Sequence, residues 1–157
     1  MLQAYDVILP TLGDQFSAAA FGVAPNPRCK MLANFGVGYN HINVSAAQKA
    51  GVSVSNTPGA VTDATADIAM SLILMSCRRL GEGERMVRAS AWDGWHPTQL
   101  LGMHIGGKTL GIIGTVRIGK AIARRAAARS RMTVIFYNRS TVEAHEHGPQ
   151  LPPTLPV

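Results

Sequence analysis

Short apolar runs alternate with segments of helical period along this chain, and that alternation predicts an α/β fold. Tyr5 to Leu9 (YDVIL) reads as a strand ended by Pro10, and Met31 to Phe35 (MLANF) as a second strand closed by Gly36 and Gly38. Val44 to Ala50 reads as a short helix that Gly51 stops, because glycine readily takes the left-handed conformation after a helix end. Val52 to Ser55 is a third strand, followed by the turn Asn56-Thr57-Pro58-Gly59.

The strongest helical pattern spans Thr62 to Leu80. Thr62 is placed to cap it, Asp63 suits its positive N-terminus, and Arg78-Arg79 suit its negative C-terminus. It is apolar nearly all round from Ile68 to Met75, which predicts burial on most sides, as at a junction between two domains. Glu82 to Ala89 continues as a more polar helix. An irregular arm then runs to Gly107 and carries Trp92, Trp95 and Pro97. Its tryptophans suit packing on a second subunit, or equally on the same chain. From Lys108 to Ser140 the pattern is strand (Thr109 to Ile113), helix (Arg117 to Arg129), strand (Met132 to Tyr137), a βαβ unit the length of a dinucleotide half-site. Thr141 to Val157 has four prolines in its last nine residues and reads as a disordered tail.

Composition narrows the class. A chain of 157 residues makes one medium domain or pieces of two, and 46% hydrophobic with 15% charged residues points to an ordered core. The run Ile68 to Met75 is too short to cross a bilayer, and Gln3 and Asp6 interrupt any signal-peptide pattern. Cys29 and Cys77 are too few for a disulfide framework or a metal cluster, so a reducing cytoplasm is expected and no metal. Cys29 reads as a loop or surface thiol and Cys77 as a buried helix residue. The net charge of +6 could attract nucleic acid or an anionic cofactor. The arginines come in pairs, however, with no lysine-rich run and no interleaved aromatic stripe. Solvated helix faces are the simpler reading, with no nucleic-acid or membrane partner.

The candidate chemistry lies in the βαβ unit. A dinucleotide turn of the form G-x-G-x-x-G needs its first glycine for the tight turn, its second for close approach of the pyrophosphate, and its third for helix–strand packing. The segment here is Gly114-Thr115-Val116-Arg117-Ile118-Gly119, with Val116 in place of the middle glycine. A β-branched side chain at the point of closest approach, on a residue that tolerates positive φ poorly, predicts weakened cofactor binding. Two glycines of three also suit a generic helix N-terminus. The second strand ends in Asn138-Arg139-Ser140, without the carboxylate that would bond an NAD ribose and repel a 2′-phosphate, so the sequence favours NADP over NAD. An ordinary polar loop is the competing interpretation of that triplet.

Several motifs in order resemble one family. Gly36-Val37-Gly38-Tyr39-Asn40-His41-Ile42-Asn43, Asn56-Thr57-Pro58-Gly59, Thr62-Asp63-Ala64-Thr65-Ala66-Asp67, Arg78-Arg79-Leu80 and Gly107-Lys108-Thr109-Leu110-Gly111-Ile112-Ile113-Gly114 resemble the D-isomer-specific 2-hydroxyacid dehydrogenases, in particular glyoxylate/hydroxypyruvate reductases. The resemblance covers about Tyr5 to Ser140. It implies a partial flavodoxin-like substrate domain at 1–59, then an interdomain helix, dimerisation arm and first βαβ unit of a Rossmann cofactor domain at 60–140, then the Pro-rich tail at 141–157.

The resemblance further implies that small 2-keto acids are reduced to D-2-hydroxy acids, by a homodimer. Backbone amides of Val37 and Gly38 match the family's substrate-carboxylate loop. Thr65 matches a residue near the nicotinamide, and Gly114, Arg117, Ile118 and Gly119 match the pyrophosphate turn. Asn138, Arg139 and Ser140 match adenosine-side contacts. Asn40 and Asn43 stand where the family usually has aspartates, and Arg129-Ser130-Arg131 where a turn usually carries a glycine. The family's catalytic arginine, glutamate and histidine have no match at any position here, so no catalytic residue is expected. The five histidines (His41, His96, His104, His145, His147) fall elsewhere. The alternative is a non-catalytic remnant limited to dimerisation or weak nucleotide binding.

Overall fold

The computed structural model describes residues 1–139; Ser140 and the tail at 141–157 lie outside the described residues. The chain divides into two compact units, Met1–Ala60 and Val61–Val157. The parallel α/β class expected from the alternating pattern is what both units show. Among the described residues no helix is long and apolar enough to cross a membrane.

The first unit is a three-stranded parallel sheet of order β1-β2-β3, with β1 at Val7–Ile8, β2 at Met31–Ala33 and β3 at Ser53–Ser55. Its register pairs Val7 with Met31 and Met31 with Ser53. Parallel neighbours require crossovers, and two short helices supply them: α1 (Ala18–Gly22) and α2 (Val44–Lys49). The sequence reading missed α1, although its signal was present. Ser17 caps an alanine run, its side chain accepting from the Ala20 N–H. Asn43 caps α2 in the same way, accepting from Ala46 at 2.9 Å, and Gly51 takes φ 72° just past the helix end. Leu32, Val52, Phe16, Phe21, Ile42 and Ala47 form the core. Full burial of a side chain such as Leu32 contributes roughly 1.5–3 kcal/mol. Cys29 joins that core with no exposure, contrary to the expectation of a surface thiol, because the chain entering β2 turns inward there.

The second unit opens with α3 (Thr62–Cys77) and α4 (Leu80–Arg88) and closes with β4 (Thr109–Ile113), α5 (Arg117–Ser130) and β5 (Thr133–Tyr137). The strands β4 and β5 are parallel, Thr109 facing Thr133 and Ile113 facing Tyr137. Ile112, Ala123, Ala126, Val134 and Phe136 fill the core between sheet and α5. Three expectations for α3 fail. The helix begins after Val61 and no side chain caps it, so Thr62 is not the cap. Cys77 is half-buried rather than buried, since the helix ends on it. The helix is also far from covered: Ala66 alone is buried, while Ile68 and Leu72 are 62% and 56% exposed. One side of α3 meets α5 and its end meets α4, while Ile68, Leu72, Leu74 and Met75 stay exposed among the described residues. Trp92 and Trp95 of the arm are exposed among the described residues, and the Trp92 Nε1–H donates to Gln99 at 3.2 Å.

Candidate functional site

In parallel α/β sheets, ligands bind beyond the carboxyl ends of the strands, where loops diverge. In the first unit those ends are Ala33 and Ser55, and the loop following each converges on the other. The Asn34 N–H donates to the Ser55 carbonyl at 2.9 Å and the Thr57 N–H to the Gly36 carbonyl at 3.1 Å. The Asn56 side-chain amide donates to the Val37 carbonyl at 2.9 Å. The Asn34 amide donates to the carbonyls of Gly36 (2.9 Å) and Gly38 (3.0 Å). Three successive carbonyls, 36 to 38, are therefore all turned onto protein donors. The N–H groups of Val37 and Gly38 have no partner among the described residues. Paired free amides of this kind hold an anion without a charged side chain. Gly38 is exposed, and a Cβ built on it would meet nothing within 4 Å, so the approach is open. A cavity of about 220 Å³ adjoins the loop, lined by Tyr39, Val44, Val54, Ser55 and Asn56.

Asn34 went unnoticed in the sequence reading, yet a signal existed. Leu32 and Asn34 occupy alternate, inward positions of the same run, and both are at most 2% exposed. A polar side chain in a core-facing register needs partners. Asn34 has three, the third being His41, whose Nε2 lies 2.9 Å from Asn34 Oδ1. His41 is itself buried.

The second unit brings Gly114, Arg117, Ile118 and Gly119 together at the junction of β4 and α5, with Asn138 and Arg139 just past the end of β5. Ser140 lies outside the described residues. Thr65 is exposed on the first turn of α3, between Asp63 and Asp67. Both carboxylates bind Arg125 of α5, at 3.0 and 2.7 Å, which raises the guanidinium pKa further and ties the two helices together.

The turn fits a dinucleotide phosphate in several respects. Gly114 adopts φ 93°, a conformation that favours glycine. A Cβ on Gly119 would come within 2.4 Å of the Gly114 carbonyl oxygen, so the third glycine permits the helix to press against the turn. Among the described residues the N–H groups of Arg117, Ile118 and Gly119 open α5 without partners or a side-chain cap, an arrangement suited to an anion. The Thr115 hydroxyl and Asn138 Nδ2 are buried there with no hydrogen-bond partner among the described residues. Val116 opposes the fit, though for one reason rather than two. Its φ is −90°, so the expected conflict with positive φ does not arise. What remains is bulk: its side chain, 65% exposed, stands at the N-cap of α5. Asn138 Oδ1 accepts from the Thr115 N–H at 2.5 Å, so the side chain braces the glycine turn.

Parallel strands with helical crossovers in both units, a loop of free amides and a glycine turn after a strand define the class as a parallel α/β protein. The chain belongs to the D-isomer-specific 2-hydroxyacid dehydrogenase family, whose catalytic-domain model matches residues 1–148. It is 40% identical over 145 residues to a glyoxylate reductase of Pyrococcus horikoshii, an alignment covering 90% of this chain and 42% of that protein. A solved Thermus thermophilus structure superposes with a TM-score of 0.86 at 35% identity, over 98% of this chain and 47% of the other. An Aquifex aeolicus D-lactate dehydrogenase, solved with NAD and lactic acid, gives a TM-score of 0.78 at 26% identity, over 94% of this chain and 43% of the other. The chain thus spans less than half the length of these relatives.

Proposed function

We propose that this chain carries the carboxylate-binding loop and the front of the cofactor domain of a reductase acting on small 2-keto acids such as glyoxylate and hydroxypyruvate. One observation carries the reading: the N–H groups of Val37 and Gly38, unpartnered among the described residues, in a loop whose carbonyls at 36, 37 and 38 are all engaged. A 2-keto acid offers such amides a carboxylate. The glyoxylate reductase name of the Pyrococcus relative supports the substrate class. The bound cofactor supplies the hydride. Arg139, with no carboxylate at positions 138 to 140, favours NADP over NAD. Gly114, Arg117, Ile118 and Gly119 would receive the pyrophosphate, Thr65 would lie near the nicotinamide, and Asn138, Arg139 and Ser140 would face the adenosine side.

Reduction also requires a proton donor for the developing alkoxide and a cation for the keto acid. The resemblance matches none of the described histidines, His41, His96 and His104, to that role, and His41 is bonded to Asn34. These residues by themselves are therefore expected to bind rather than to catalyse. Fluorescence titration should show NADPH bound in preference to NADH, with little glyoxylate-dependent NADPH oxidation. Preference for NADH would overturn the cofactor assignment, and rapid oxidation would overturn the inactivity.

A second reading rests on Val116 and the uncovered face of α3: a remnant that self-associates and binds nucleotide weakly or not at all. Self-association without any NADPH binding would favour it.

A further inference from the structure

We propose that Asn34 and His41 are positioning residues that hold the Val37–Gly38 amides in their anion-binding arrangement. This inference rests on the carboxylate-binding reading of that loop. The geometry fixes each atom's role. Asn34 presents one end of its amide to two carbonyl oxygens, at 2.9 and 3.0 Å. Carbonyls can only accept, so that end is the NH₂ group. The other end, facing His41 Nε2 at 2.9 Å, is then the oxygen, which also can only accept. His41 must therefore carry its proton on Nε2. An asparagine side chain is otherwise free to exchange its two ends, and the buried His41 N–H makes one orientation the bonded one.

The consequence passes along the chain. The Asn34 amide is the sole donor to the Gly38 carbonyl among the described residues, whereas the Gly36 carbonyl has a second donor in the Thr57 N–H. In a trans peptide the carbonyl and the next residue's N–H point opposite ways. The Gly36 carbonyl, held inward by Asn34 and Thr57, therefore turns the Val37 N–H outward, and the Val37 carbonyl, held by Asn56, turns the Gly38 N–H outward. The Asn34 bond to the Gly38 carbonyl fixes the backbone on the far side of Gly38. Gly38 has no side chain to limit rotation. Without Asn34 the Gly36 carbonyl keeps only the Thr57 donor and the Gly38 carbonyl has none among the described residues, so the backbone is released on both sides of the Val37 and Gly38 amides and they converge less well. Phe16 and Ile42, whose backbones flank His41 in the fold, keep the histidine in place: the Phe16 N–H donates to the His41 carbonyl at 2.8 Å, and Ile42 is 4% exposed.

The test uses the full ¹⁵N-labelled chain titrated with oxalate, a dianion that mimics a 2-keto carboxylate, with the Val37 and Gly38 amide resonances as readout. In the parent chain both should move with saturating oxalate, and His41 should show a protonated Nε2. Asn34→Ala and His41→Phe should each weaken oxalate binding about tenfold or more, the scale expected for losing one or two hydrogen bonds that orient a charged ligand's site. His41→Gln, which can still donate to Asn34, should recover most of that loss. A merely structural role for the pair would leave the oxalate affinity of the folded variants unchanged. Oxalate binding as tight in Asn34→Ala and His41→Phe as in the parent would overturn the positioning role while leaving the anion loop intact. If oxalate moves neither amide in the parent chain, the anion reading fails and the positioning role fails with it. Should Asn34→Ala not fold, the contrast between His41→Phe and His41→Gln decides the question, because equal affinities in those two also overturn the proposal.

Discussion

Arg131 occupies the turn between α5 and β5 with φ 49°, left-handed backbone that costs a side-chain-bearing residue roughly 1 kcal/mol relative to glycine. Its side chain is exposed, so replacing it loses little packing. Arg131→Gly should raise stability by up to about 0.5 kcal/mol after the extra entropy of glycine in the unfolded chain is counted. Urea unfolding measures this, and a less stable variant would contradict it. Val116 is the opposite case. At φ −90° its backbone is unstrained, so Val116→Gly should lower stability slightly, by up to about 1 kcal/mol, while strengthening NADPH binding by removing bulk from the α5 N-terminus. Unchanged NADPH affinity in a folded Val116→Gly chain would show that bulk at this point does not limit binding.

Acid sensitivity belongs to the elements of the first unit. The Asp14 carboxylate accepts from the Thr11 N–H at 2.7 Å and from its hydroxyl at 3.1 Å, closing the turn ahead of α1 and holding its pKa below the ordinary value. Asp6, just before β1, is held down mainly by its paired hydrogen bonds from Arg28. A group whose folded pKa is lowered stabilises the fold fully above its unfolded value and loses that contribution as pH falls through the folded value. The first unit should therefore weaken as pH drops below the usual carboxylate range. Asp14→Asn should flatten that dependence, seen as a smaller gap between denaturation midpoints at neutral and acidic pH. An unaltered gap would exclude Asp14 as a source. Both pairs are exposed, so the effect is modest.

At the scale of the whole molecule, the dominant feature is apolar surface that the described residues leave exposed. Ile68, Leu72, Leu74 and Met75 of α3 are exposed, as are Trp92 and Trp95 of the arm. Contiguous apolar surface of this kind favours association. Sedimentation velocity of the parent chain should show dimers or larger species, and the double variant Ile68→Glu/Leu72→Glu should shift it toward monomer. A parent chain that is monomeric at high concentration would remove the basis for a subunit interface on α3.

The local patterns determined a good deal. Period-two runs and glycine stops located β2, β3, β4 and β5 within a residue or two, since strand formation follows side-chain alternation and turn chemistry that a window of sequence contains. The glycines at 114 and 119 were legible for the same reason: their backbone demands are local. Tertiary structure decided what depends on distant partners. It made Asn34 the donor to two loop carbonyls, turned Asn138 onto the Thr115 amide, drew Cys29 into the core and left α3 exposed. A hydrogen bond or a buried face needs a second surface, and which surface arrives is fixed by the packing of the strands and helices, not by the residue's neighbours in sequence.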